Sequence, residues 1–287
     1  MIYLGANPIK NLIIIVGLYL LALLSGCMCG EEALKFCLNH NDANGALAAA
    51  KLMVASGANV NMKTTRDFTP LHIAAGADDV EFAELLISKG ADVNAKIDNG
   101  DTPINFAICS SGHNGSTKMV ELLLKHGADI NSNSKLESPL MGACKYSYYD
   151  IVKYLVEQGA DINLTSGSKA PALLYSDDKR IIELLVSKGA DVNAKNLSGD
   201  TLLMSIVRNG KSVAEKKESI LFLVERGVNI NATYQSGIYD IQTKTALDEA
   251  ILSTQPEEII ALLRSKGAKT ATELKAEKPV PAPNNGK

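Results

Sequence analysis

A five-residue pattern, Gly-Ala-Asp-Val/Ile-Asn, recurs along this chain and constrains its fold more than any other feature. It stands at Gly57 to Asn61 (as Gly-Ala-Asn-Val-Asn), Gly90 to Asn94, Gly127 to Asn131, Gly159 to Asn163, Gly189 to Asn193 and Gly227 to Asn231 (as Gly-Val-Asn-Ile-Asn), with a degenerate seventh copy at Gly267-Ala268. Successive glycines are 33, 37, 32, 30, 38 and 40 residues apart. A period of this length means one supersecondary unit stacked on copies of itself, with loops of variable length.

Each glycine closes an amphipathic stretch such as Val80-Glu-Phe-Ala-Glu-Leu-Leu-Ile-Ser-Lys89, whose apolar residues recur at three and four. Glycine there takes the left-handed conformation that ends a helix without steric cost, and Lys89 suits the last turn. A second signature opens another helix further on: Thr69-Pro70-Leu71-His72-Ile73-Ala74-Ala75, Thr102-Pro103-Ile104, Ser138-Pro139-Leu140, Thr201-Leu202-Leu203 and Thr245-Ala246-Leu247. Thr or Ser caps the free amides, and Pro is tolerated at the first helical position. Small residues such as Ala74, Ala75 and Ala143 let neighbouring helices approach closely.

With two signatures recurring in phase, residues 31–271 resemble ankyrin repeats, about seven of them. The resemblance implies an all-α repeat solenoid of helix-turn-helix units carrying β-hairpin fingers. It also implies that His72, matching the family's repeat histidine, braces a neighbouring turn. Three departures stand out: Asp67 replaces a hairpin glycine, Leu202 replaces a proline, and the first helix of the fifth unit is shortened around Ala170 to Tyr175. The fifth unit is therefore expected to be the least stable.

Residues 1–26 read as a leader. Lys10 precedes an apolar run from Leu12 to Leu24, too short for the ~20 residues of a bilayer span, and Leu24-Ser25-Gly26-Cys27 follows. This segment resembles a bacterial lipobox, which implies cleavage before Cys27, acylation of that residue and a mature protein hung on a membrane by lipid, leaving 27–30 as a short tether. Met28 after the lipidated cysteine favours the periplasmic face of the outer membrane. An uncleaved anchor or an ordinary secretory signal fits the same residues, and either also sends the repeats out of the cytoplasm.

The mature chain carries 28 basic and 32 acidic side chains, because the leader removes Lys10 alone. Without a basic stripe to displace counterions, a nucleic-acid partner is excluded. The end, 272–287, with three prolines and few apolar residues, reads as a flexible solvated tail. Cys29, Cys37, Cys109 and Cys144 show no recurring spacing; a Cys29–Cys37 bridge stays open, and Cys109 and Cys144 read as small buried hydrophobes.

His40, His72, His113 and His126 never approach a metal-ligand spacing, and no nucleophile elbow or phosphate loop appears. The acid pairs Asp78-Asp79, Asp177-Asp178 and Glu257-Glu258 precede second helices and suit their positive ends. No enzyme, metal or cofactor is expected.

All seven tyrosines after the leader fall between Tyr146 and Tyr239. Tyr154 lies in an apolar stripe and is expected in the core. Tyr146, Tyr148 and Tyr149 fill the turn of the fourth unit, Tyr175 the turn of the fifth, and Tyr234 and Tyr239 an enlarged hairpin finger. Tyrosine gives large contact area at small entropy cost, so these residues, with Arg208, are the candidate protein-binding surface; partly buried packing at turns is the alternative. Insertions at Ser110 to Gly115, Asn209 to Glu218 and Ile238 to Thr243 point the same way. The expectation is a monomeric, lipid-anchored, non-enzymatic binding protein of the bacterial envelope, its partner a toxin or an envelope component. An immunity protein against a periplasm-acting toxin is the sharpest form; an envelope or stress-defence scaffold, or a secreted effector mimicking host scaffolds, are the alternatives.

Overall fold

The computed structural model describes residues 34, 44–64, 67–109, 117–135, 137–167, 170–236, 242–253 and 255–277. The lipobox with Cys27, and Cys29, Cys37, His40, His113 and Tyr239, lie outside these residues. In chain order the elements are α1 (Asn44–Ala55), α2 (Pro70–Gly76), α3 (Val80–Ser88), α4 (Pro103–Cys109), α5 (Thr117–Lys125), α6 (Pro139–Lys145) and α7 (Tyr149–Glu157). Then come the 3-10 helix η1 (Ala172–Tyr175), α8 (Lys179–Ser187), α9 (Leu202–Arg208), α10 (Val213–Glu225), strands β1 (Tyr234–Ser236) and β2 (Gln242–Lys244), α11 (Ala246–Leu252), α12 (Glu257–Ser265) and α13 (Ala271–Glu277). The fold is an all-α ankyrin-repeat solenoid.

The glycine signature does what its chemistry requires. In the second signature Thr245 and Ser138 accept from the Asp248 and Met141 amides, whereas the Thr69 hydroxyl meets His72 instead and Thr201 makes no side-chain cap. Asp79 caps α3 by accepting from the Phe82 amide at 2.9 Å, so the acid pairs serve helix ends. Phe82, Ala83 and Leu86 form the buried stripe of that helix, each large side chain contributing roughly 1.5–3 kcal/mol. Gly90, at φ 86°, ends it: its amide bonds Ile87 O, and the Ala91 amide reaches back to Leu86 O at 3.0 Å. Asp67 takes the hairpin glycine's conformation at φ 65° and is held by Lys63 at 2.9 Å.

At Asn61, Asn94, Asn163, Asn193 and Asn231 the last Asn of the repeated motif ties its unit to the following one. Asn94 donates from Nδ2 to Gly127 O at 2.9 Å, while its Oδ1 accepts from the Asp129 amide at 2.7 Å. Asn61, Asn163, Asn193 and Asn231 make the same pair of bonds one repeat onward. The motif is thus a helix stop and an inter-repeat clasp at once.

By compactness the chain divides into two units, one of residues 1–143 with 150–160 and one of 144–149 with 161–287. Leu71, Phe82, Leu86, Ile104, Met119 and Leu123 are fully buried in the first. In the second the core is Ile181, Leu185, Met204, Ile220, Leu247 and Leu263. Lys216, on α10, is buried and donates to Val207 O at 3.0 Å and Gln255 Oε1 at 2.7 Å, crowning the end of α9. Among the described residues no helix is long and apolar enough to cross a membrane.

His72 braces its neighbours as the resemblance implies. Its Nδ1 accepts from the Thr69 amide at 3.2 Å and meets Thr69 Oγ1 at 2.8 Å, and Nε2 faces Asp101 O at 3.3 Å. The fifth unit's first helix is indeed reduced, to the four residues of η1.

Three expectations need correction. The tail begins as helix α13, because Thr270 and Glu273 cap one another (2.7 and 3.2 Å), Arg264 grips Glu273 at 2.6 Å and Lys269 grips Glu277. The Arg264 guanidinium holds the Glu273 carboxyl well below the usual carboxylate range. Tyr154 is half-buried, since the stripe of α7 is completed by Ile151, Val152 and Leu155. Cys144 is buried, which pushes its thiol up, whereas Cys109 is partly exposed with Sγ 3.4 Å from Glu137.

Candidate functional site

Between α6 and α7 the chain reverses over Tyr146-Ser147-Tyr148. Ser147 adopts φ 57°, its amide bonding Cys144 O at 3.1 Å and its carbonyl accepting from the Tyr149 amide at 3.0 Å. This reversal stacks the Tyr146 and Tyr148 rings, centroids 5.7 Å apart and 26° from parallel. The Lys145 ammonium lies 5.5 Å from the Tyr146 ring centroid, a contact worth about 0.5–1 kcal/mol at an exposed site. Tyr146 keeps 42% of its surface open to solvent.

Tyr149 joins through the next repeat. The Arg180 guanidinium sits 5.1 Å from its ring and is fixed by Asp178, with Nη2–Oδ2 at 2.8 Å and Nε–Oδ1 at 3.3 Å. The Arg180 side chain also holds the Asp178 carboxyl below its ordinary value. The turn thus carries a stacked tyrosine pair with Lys145 against Tyr146, and beside it Tyr149 under an Arg180 guanidinium fixed by Asp178.

Tyr175, half-buried, ends η1 and walls a cavity of about 350 Å³ that Asp200 also lines. Arg208 reaches the same carboxylate, Nη2 to Oδ1 at 3.0 Å. The pair is a charge contact without hydrogen-bond alignment, for Oδ1 is buried with no aligned donor. Lys211 stands 3.7 Å from Asp177, linking the turn after Tyr175 to the turn after Arg208.

Tyr234 departs from the expected exposed role. It is 7% exposed, its hydroxyl bonds the Glu249 carboxylate, and the Arg208 guanidinium covers its ring at 5.5 Å. The cause is the finger's close seat: β1 pairs with β2 at Tyr234–Lys244, and the Gln235 amide bonds Ser198 O at 3.2 Å. A Cβ on Gly199 would come within 3.3 Å of Tyr234 Cα, so glycine is what lets the finger tuck in. Tyr234 is therefore a packing residue beneath Arg208 and is not an exposed contact residue.

Sequence reasoning overlooked Lys145, Arg180 and Leu197. Lys145 adjoins Tyr146 and could have been read as its cation; Arg180 comes from another repeat, and no local signal points to it. Among the described residues no group of three or more His, Cys, Asp or Glu side chains gathers as a metal site.

Stacked two-helix units, glycine-ended helices and asparagine clasps define a class of protein-interaction repeats. The chain belongs to the ankyrin-repeat family, whose profile matches residues 34–134, 97–166 and 172–273. It is 32% identical over 154 residues to the ankyrin repeat protein FPV031 of fowlpox virus, covering 51% of this chain and 43% of that one. It is 34% identical over 92 residues to alpha-latrocrustotoxin-Lt1a of Latrodectus tredecimguttatus, covering 31% of this chain and 6% of the toxin. The chain thus spans less than half the length of either relative. Among solved structures it superposes on the human ASB11 ankyrin repeat domain with TM-score 0.63, 26% identity and coverage of 82% and 98%. An ankyrin repeat domain of Acinetobacter baumannii gives TM-score 0.58, 26% identity and coverage of 70% and 98%. Ankyrin repeats are a protein-binding scaffold, typically without enzymatic activity.

Proposed function

We propose that this is a lipid-anchored, non-enzymatic protein of a bacterial cell envelope that binds another protein through the tyrosines and cations of its later repeats. The observation that carries the binding reading is the stacked Tyr146–Tyr148 pair at a strained turn, with Lys145 on the Tyr146 ring and Tyr146 itself 42% exposed. Aromatic residues whose conformation is already fixed lose little entropy on binding. The anchor rests on Leu24-Ser25-Gly26-Cys27 and the apolar run before it.

Within this reading the protein is an immunity protein. Permanent tethering holds an inhibitor in the compartment where an envelope-attacking toxin acts. Cell fractionation tests the anchor: the native chain is expected in the membrane pellet, released only by detergent, and Cys27→Ser in the soluble fraction or as uncleaved precursor. A native chain in the cytosolic fraction overturns it. Deleting the gene is expected to raise susceptibility to neighbouring cells that carry the toxin; unchanged susceptibility favours an envelope scaffold.

A further inference from the structure

The fifth repeat is two residues short before its second helix. Pro171 stands seven residues ahead of the capping Asp178, whereas Pro70 stands nine ahead of Asp79. Too little chain remains for a first helix with i to i−4 bonds and a turn, so η1 forms instead, with Pro171 at its N-cap, where no side chain accepts from the free amides. The deficit opens the cavity of about 350 Å³ between η1, the turn 196–200 and α9.

Leu174, the Tyr175 ring and Leu197 line it with apolar surface, and Asn196, Ser205 and Asp200 bring polar groups. Leu197 is 65% exposed, an unusual position for a large apolar side chain. The volume lies at the low end of the ~300–1,000 Å³ of ligand pockets, enough for one large side chain and too little for a folded element.

We infer that this cavity receives one aromatic side chain with an N–H or O–H at its tip, tryptophan or tyrosine, from an extended segment of the bound protein. The inference rests on the protein-binding reading. A cationic side chain is disfavoured because Arg208 already occupies the Asp200 carboxylate at 3.0 Å. An aliphatic one would leave Ser205 facing carbon, for Asn196 is already engaged by the Ser198 and Asp200 amides at 3.0 and 2.9 Å. An aromatic body lies against Leu174, Tyr175 and Leu197 while its tip donates to the Ser205 hydroxyl oxygen.

The chain contains no tryptophan, so an indole probe can be followed without background. Titrating the full chain into N-acetyl-tryptophanamide is expected to give a saturable blue shift of emission, with Kd on the order of a millimolar for so small a probe. Leu197→Ser and the cavity-filling Ser205→Phe should each weaken binding about tenfold or more, a change of roughly 1.4 kcal/mol. Thermal melts accompany both; if Ser205→Phe melts early, Leu197→Ser decides. No saturable shift, or a shift equal in native and variant chains, overturns the inference. A chain that captures its partner yet shows no indole binding removes the pocket and leaves the protein-binding reading standing.

Discussion

His72→Asn is expected to flatten the dependence of stability on acid pH. His72 is fully buried, and burial pushes its pKa down to about 4 from an ordinary 6.5. The unfolded chain takes up the proton first, so stability is complete above pH 6.5, falls as pH drops toward 4, and levels off below. A shift of this size corresponds to about 3 kcal/mol. The chemistry agrees with the direction: Nδ1 accepts from the Thr69 amide, and a proton there would oppose that donor.

Asparagine already does this job one repeat later, where Asn105 accepts from the Thr102 amide at 3.1 Å and donates to Glu137 O at 3.3 Å. His72→Asn should lose roughly 1 kcal/mol at pH 7.5, because the edge-to-face contact of the ring with Phe106, at 5.2 Å, disappears. Below pH 5 the order should reverse. Urea unfolding across this range gives crossing curves if His72 titrates in place, and parallel curves if it does not.

Asn105→Ala is expected to cost about 3 kcal/mol, since several buried groups lose their partner together. The side-chain Oδ1 accepts from the Thr102 amide and lies 2.8 Å from Thr102 Oγ1 and 3.1 Å from Ser132 Oγ. Truncation orphans these groups and the Glu137 carbonyl in a site 2% exposed. Asn105→His should recover most of the loss above pH 6.5, reproducing the arrangement at His72. A loss below about 0.5 kcal/mol would show that water or side-chain rotation replaces the network, contrary to its burial.

The repeat was readable because its residues answer backbone demands that hold anywhere. Gly90 must accept a positive φ, Pro70 fits a first helical turn, and Asp79 finds free amides three residues on. The clasp role of Asn94 was not readable, because its partners Gly127 and Asp129 lie a whole repeat away. Asn105 went unnoticed for the same reason.

Helix α13 was legible in principle: Thr270-Ala271-Thr272-Glu273 is a capping box, outweighed in the reading by the prolines that follow. Of the candidate surface, the clustering of Tyr146, Tyr148 and Tyr149 followed from adjacency. Burial of Tyr234 did not, because it depends on where the finger lands, on Gly199 and on Glu249 of α11.

Capture from detergent-solubilised envelopes tests the central claim most directly. The native chain is compared with Tyr146→Ala/Tyr148→Ala/Tyr149→Ala by quantitative mass spectrometry. These side chains are surface or half-buried, so the variant should fold, which a matching thermal melt checks. Truncating a central aromatic group typically costs 2 kcal/mol or more. The account predicts a specific partner retained by the native chain and depleted roughly thirtyfold or more with the variant. Equal recovery of every partner by both chains would contradict it and reassign these tyrosines to packing at a turn.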